Sequence, residues 1–348
     1  MKHTHLHTRL LALLLCCALV LPLSACGEAK STTQQIFAMD TVMDLTAYGK
    51  KADDGISAAI SIINSMDKLL DPENERSKTY EINHAMGSPV VVNEQIAKML
   101  RTALTVYERT NGAFDLTTYP LSKLWGFIDQ NYCVPSDAEI ERLLPCVDMS
   151  KVQLSTTDDS ANSLVTMPAD MALSFGAVAK GCASEYAIQA MRAAGVTSGV
   201  VSLGGNVQTL GKKPDGSDWN IAIQDPNDTG SYLGYLTVGE TAVITSGSYQ
   251  RYFTEGGQKY HHILSPTTGR PVNNGLLAVT IVCEDGTLAD CLSTAMFVLG
   301  PQAALNYWRT YGGFEMLLVK ADGHVVLTNG LYGQFTPNGD SYVVDYAS

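Results

Sequence analysis

Apolar residues recur along this chain in two rhythms. Ile56, Ala59, Ile60, Ile63 and Leu70 fall on one face of a helix that Asp53 or Asp54 can cap. Asn93 can cap a second helix that turns Ile96, Met99, Leu100, Ala103 and Tyr107 inward, with Asn111-Gly112 as its stop. Ser136 and Glu139 have the spacing of a capping box for a short helix ending before Pro145. Residues 176–194 read as a helix closed by Gly195, and 196–203 as a strand running into Gly204-Gly205-Asn206. In the second half the alternation is that of strands, at 220–224, 234–238 and 278–283. A helix follows at 287–299, and Pro301 stands where the next should begin. Residues 314–319 and 324–327, around Asp322-Gly323, predict a hairpin. Helices and strands are mixed without regular β-α-β alternation, which predicts an α+β fold.

The first residues belong to a different pattern. Lys2 and Arg9 accompany an apolar run at 10–21 that is short for a membrane span, followed by Leu23-Ser24-Ala25-Cys26. That ending resembles the bacterial lipobox. Residues 1–25 are therefore expected to be a lipoprotein signal peptide, Cys26 the lipidated first residue, and 26–35 a polar tether. Residues 36–348 would form a single domain, built as one body or two interlocked lobes, held at the extracytoplasmic face of the cell membrane.

Charge and cysteine content narrow the classes. The formal net charge is −12, and loss of Lys2 and Arg9 with the signal makes it two units more negative. Such a chain is a poor nucleic-acid binder, and its expected membrane link is the lipid alone. Cys133, Cys146, Cys182, Cys283 and Cys291 remain, an odd number without CxxC spacing, which argues against a disulfide framework or a structural zinc site.

Candidate chemistry concentrates at 245–271. Thr245-Ser246-Gly247 leads to Arg251, and His261-His262 precedes a Pro-Thr-Thr-Gly-Arg-Pro turn. Arg251 and His262 suit phosphate, and strand alternation lets only one of the two adjacent histidines enter a site. Asp290 and Thr294 share a helix face and could hold a hard cation through oxygen. Ser174 to Gly181 opens a helix whose free amides and Lys180 could attract phosphate, although a first-turn lysine is often only solvated. Gly204-Gly205-Asn206 allows close backbone approach to a ligand or makes a plain turn. Trp125-Gly126-Phe127 is either an aromatic wall for a planar ligand or a loop anchor.

Taken in order, Met39-Asp40-Thr41, residues 77–83, 112–117, Trp125-Gly126-Phe127, 176–181, Gly204-Gly205-Asn206, Thr245-Ser246-Gly247, 262–271 and 290–294 resemble the ApbE-type flavin transferases. The resemblance implies mixed, mainly antiparallel sheets with packed helices, related to the T-fold. It implies an enzyme that cleaves the FAD pyrophosphate, moves FMN onto a threonine of an exported or membrane flavoprotein, and releases AMP. Met39, Tyr80, Trp125, Gly126, Phe127, Ser174, Lys180 and His262 would line the FAD site, with Gly204, Gly205, Asn206 and Arg251 beside them. Asp290, Thr294 and the Ala177 carbonyl would bind Mg2+, with His262 and Asp290 as the catalytic pair. A Mg2+-dependent FAD hydrolase and a non-catalytic flavin-binding lipoprotein are the alternatives. The chain departs from the family pattern at Asp40, where glycine is usual, at Ser174, where aspartate is usual, and at His261, where serine is common.

Overall fold

Ser31–Ala38 (β1) pairs antiparallel with Thr41–Tyr48 (β2) through a two-residue turn in which Met39 and Asp40 both take positive φ, 48° and 57°. Such a turn matches the twist of its strands and favours glycine. Aspartate is among the few side chains that enter this region routinely, which accounts for Asp40. The computed structural model, which describes residues 30–156 and 162–347, extends this hairpin into a nine-stranded sheet. The further strands are Gly199–Leu203 (β3), Asn206–Leu210 (β4), Ala242–Gly247 (β5), Leu276–Cys283 (β6), Glu315–Lys320 (β7), His324–Thr328 (β8) and Val343–Ala347 (β9). Their order in the sheet follows the chain, and only the β8–β9 pair is parallel.

One face of the sheet carries helices: Ala52–Leu70 (α1), Glu94–Arg109 (α2), Ala179–Ala193 (α3), Gly286–Leu299 (α4) and Pro301–Tyr311 (α5). The other is covered by a three-stranded sheet of Trp219–Gln224, Tyr232–Val238 and Phe335–Pro337. Period-two alternation feeds both layers, because Met316 and Leu318 on β7 join the core under the helices while Leu317 and Val319 join the core under the small sheet. A third cluster gathers Leu121, Trp125, Phe127, Ile140 and Leu264. From Ser31 onward the chain forms one compact unit. An ionic group ties three helices together. Lys98 on α2 pairs with Glu185 on α3 and lies 3.6 Å from Asp285, while Glu185 accepts 2.8 Å from Thr287 on α4.

Asn93 caps α2 through Ile96 N, and the Ser136–Glu139 capping box forms. Other boundaries move. Lys51, not Asp53 or Asp54, occupies the α1 cap; its side chain makes no capping bond to the helix backbone and instead donates to Asp54 Oδ2 at 2.9 Å. Helix α3 begins at Ala179, not at 176, because Val178 and Ala179 both donate to the Phe175 carbonyl in a turn that holds Val178 at φ −147°. The expected tether is strand from Ser31 on, since Ser31 to Gln35 pair residue by residue along β2. Cys26 and the signal segment lie outside the described residues. Of the five remaining cysteines, Cys182, Cys283 and Cys291 are buried, and none is in a disulfide. Among the described residues no helix is long and apolar enough to cross a membrane.

Candidate active site

Asp285 caps α4 through Leu288 N at 2.8 Å and so fixes where Asp290 falls on the helix. Asp290 is 4% exposed. Its Oδ2 accepts the Gly181 N–H at 2.8 Å and its Oδ1 accepts Asn206 Nδ2–H at 3.0 Å. The first bond requires close contact between α3 and α4. A Cβ on Gly181 would lie 2.1 Å from the Gly286 carbonyl oxygen and 2.5 Å from Asp290 Cβ. The expectation of free helix-start amides is corrected here for Gly181, whose N–H serves the protein's own carboxylate. One turn beyond Asp290, Thr294 Oγ1 lies 3.2 Å from Ser246 Oγ on β5, which is 2.7 Å from Ser293 Oγ.

These groups fit a hard divalent cation. Each Asp290 oxygen has one donor and keeps acceptor capacity. A carboxylate and a hydroxyl offer oxygen alone, and Mg2+ completes its shell with water, carbonyl or phosphate oxygens. No cluster of three or more His, Cys, Asp or Glu side chains among the described residues could enclose such an ion.

A second group of candidates is cationic. Arg251 and His262 bracket the hairpin Tyr252–Glu255/Gln258–His261, and the Arg251 carbonyl accepts from both His262 N and His262 Nδ1 at 3.1 Å. An imidazole donating from Nδ1 leaves Nε2 as an acceptor. Desolvation, then the nearby Arg251 and Lys180 charges, push His262 down to about 3, so the ring is neutral at physiological pH. Its ring meets Phe127 edge-on at 6.4 Å. Neither Lys180 nor Arg251 has an acidic partner among the described residues. In an acidic chain, two uncompensated cations beside a neutral histidine attract anions. His261 turns the other way. It is buried, contacts the Val272 carbonyl at 2.8 Å and Ile263 N at 3.3 Å, and meets Phe297 edge-on at 5.6 Å.

The remaining candidates divide. Trp125 is 0% exposed and its indole N–H donates to the Gly269 carbonyl at 2.8 Å, so it anchors the 265–271 turn and offers no open wall. Phe127 is likewise almost fully buried. Gly126 takes φ +75°, and a Cβ there would lie 2.1 Å from the Asn131 carbonyl oxygen, so its glycine is a steric need. Gly204 and Gly205 form the β3–β4 turn, both at positive φ, with Gly204 N bonded to the Val42 carbonyl at 3.2 Å. That brings the turn against Thr41, beside Met39, whose N–H donates to Asp67 Oδ1 at 2.7 Å. Ser174 Oγ accepts from Gly176 N at 3.2 Å. Tyr80 stacks on His84 at 3.8 Å.

Sequence reasoning missed two residues. Asn83 exchanges two 2.9 Å bonds with the Leu173 backbone and so docks the short helix bearing Tyr80 beside Ser174. Ser246 links β5 to α4 through Ser293 and Thr294. Asn83 closes the recognised 77–83 motif, but its partner lies 90 residues away and no local signal gives it this role. Ser246 sat inside a recognised motif but only tertiary packing gives it partners.

Residues 39–318 match the model of the ApbE family. The chain is 30% identical over 290 residues to the FAD:protein FMN transferase of Klebsiella pneumoniae (strain 342), covering 83% of this chain and 89% of that one. It is also 30% identical over 307 residues to the FAD:protein FMN transferase of Treponema pallidum (strain Nichols), covering 84% and 85%. The ApbE protein of Thermotoga maritima superposes with a TM-score of 0.81 at 30% identity, covering 88% of this chain and 99% of that one. With a family model matched over most of its length and relatives 30% identical across more than four fifths of the chain, this chain belongs to the ApbE family.

Proposed function

We propose that this protein is an Mg2+-dependent FAD:protein FMN transferase, lipid-anchored through Cys26 at the extracytoplasmic face of the membrane. The observation that carries the reading is the pairing of opposites. A buried carboxylate, Asp290, is held by Gly181 and Asn206, the residue next to Gly181 is the cation Lys180, and Arg251 is tied through its carbonyl to His262. A pyrophosphate needs both: cations for its oxygens and an oxygen set for the metal it carries. The names of the relatives support the choice of FAD as substrate.

In the proposed reaction a threonine hydroxyl of the acceptor flavoprotein attacks the FMN phosphorus. The new Thr O–P bond forms as the bond to the AMP phosphate oxygen breaks, and the hydroxyl proton passes to a base. Phosphoryl transfer asks mainly for positioning and charge neutralisation. Mg2+ on Asp290, Thr294 and the Ala177 carbonyl would neutralise the developing charge on the leaving phosphate. His262, whose Nδ1 donates to the Arg251 carbonyl, would accept the proton or a phosphate hydrogen bond at Nε2. The bound phosphates would raise its basicity above that of the free enzyme.

The test is to mix the chain lacking residues 1–26 with FAD, Mg2+ and candidate exported flavoproteins, then assay covalent flavin by mass and in-gel fluorescence. Flavin on an acceptor threonine with stoichiometric AMP establishes the transferase. Equal AMP release without acceptor makes it an FAD hydrolase, and intact FAD throughout makes it a binding protein.

A further inference from the structure

We propose that Asn206 is a positioning residue for the Asp290 carboxylate and not a contact to the flavin nucleotide. The proposal rests on the metal reading of Asp290 given above. Asn206 is 2% exposed, and its Nδ2 is aimed at Asp290 Oδ1 at 3.0 Å. It is the first residue of β4, immediately after the Gly204-Gly205 turn. That turn is rigidly set. Both glycines take positive φ, and Gly204 is pressed so close to Thr41 that a Cβ would come within 2.5 Å of Thr41 Oγ1. The consecutive glycines and asparagine thus have one physical purpose: a tight turn delivers a buried amide to a fixed point.

Asn206 and Gly181 together hold one oxygen each of Asp290. A carboxylate held at one oxygen can rotate about Cβ–Cγ; held at both, it presents fixed lone pairs. Outer-shell partners of this kind orient a ligating carboxylate, and losing one costs a metal site about 10–100-fold in affinity. A nucleotide contact would act on FAD directly and independently of metal.

Two titrations separate the roles: Mg2+ into the FAD-free protein by calorimetry, and FAD into the protein in excess EDTA by flavin fluorescence. Asn206→Ala should weaken Mg2+ by about 10–100-fold while leaving FAD affinity in EDTA as in wild type. Asn206→Leu keeps the bulk without the donor and should behave the same, which covers failure of the alanine variant to fold. An unchanged Mg2+ affinity with weakened FAD binding in EDTA overturns the proposal and makes Asn206 a nucleotide contact. Asp290→Ala is run alongside. If it binds Mg2+ as tightly as wild type, the metal reading itself fails and the proposal falls with it; if it loses Mg2+ while Asn206→Ala does not, the proposal alone fails.

Discussion

The Gly181 N–H reaches Asp290 Oδ2 at 2.8 Å across 109 positions of sequence. The bond exists because α3 and α4 cross at two glycines, each of which leaves room for the other's carbonyl. A Cβ on Gly286 would lie 2.7 Å from the Gly181 carbonyl oxygen, and one on Gly181 would lie 2.1 Å from that of Gly286. Gly181→Ala should therefore part the helices. Overpacking of this kind costs about 1–3 kcal/mol, and Asp290 would lose its donor. Thermal unfolding should show the loss, and the Mg2+ concentration needed for half-maximal rate should rise. A variant with wild-type values on both counts would show that the crossing is not tight in solution.

Removing the metal should stop chemistry but spare part of the FAD binding. Asp290→Ala, or excess EDTA, should abolish AMP release, while Lys180, Arg251 and His262 still hold phosphate. The check is AMP by chromatography beside FAD affinity by fluorescence. Turnover in EDTA at the wild-type rate would refute the role given to Asp290 and Thr294.

His262 and His261 should fail in different ways. Loss of a general base costs about 10²–10⁴-fold in rate, and His262→Ala should fall in that range with folding retained. His261 is buried and bonded to the Val272 carbonyl and Ile263 N, so His261→Ala should cost about 1–3 kcal/mol of stability, the range for unpaired buried partners, and little activity per folded molecule. Equal rate losses in both would contradict the divergence of the two rings.

The low proton affinity of His262 also predicts a pH dependence of stability. Its value falls from 6.5 in the ordinary case to about 3 here. The unfolded chain then binds the extra proton first, so the contribution of neutral His262 is complete above pH about 6.5 and is lost as pH falls toward about 3. His262→Gln should flatten the melting temperature across that window relative to wild type. Identical slopes would place the ring in water.

Truncation should distinguish anchor from fold. A chain starting at Gly27 keeps all of β1 and should transfer flavin to a soluble acceptor as the full protein does, and Cys26→Ser should lose membrane retention alone. A chain starting at Ile36 loses Ser31 to Gln35, five of the eight pairs with β2, and should melt earlier. Equal melting of the two chains would show that β1 adds nothing to the sheet.

The sequence by itself determined whatever is decided within a few residues. Helix faces, the Asn93 cap and the Ser136–Glu139 box formed because their donors and acceptors lie within one turn. The ordered motifs named the family. Tertiary structure decided the rest. Trp125 left the expected ligand wall because an indole in a cluster with Leu121, Ile140 and Leu264 is worth more buried, with its N–H met by Gly269. Helix α3 started late because the Phe175 carbonyl took two amides in a turn. The amide of Gly181, the side chain of Asn206 and the carboxylate of Asp290 met only when one helix crossing at two glycines and a glycine turn brought three distant segments together. Contacts of that range depend on how closely backbones pass, and a linear pattern of polar and apolar residues carries no record of that distance.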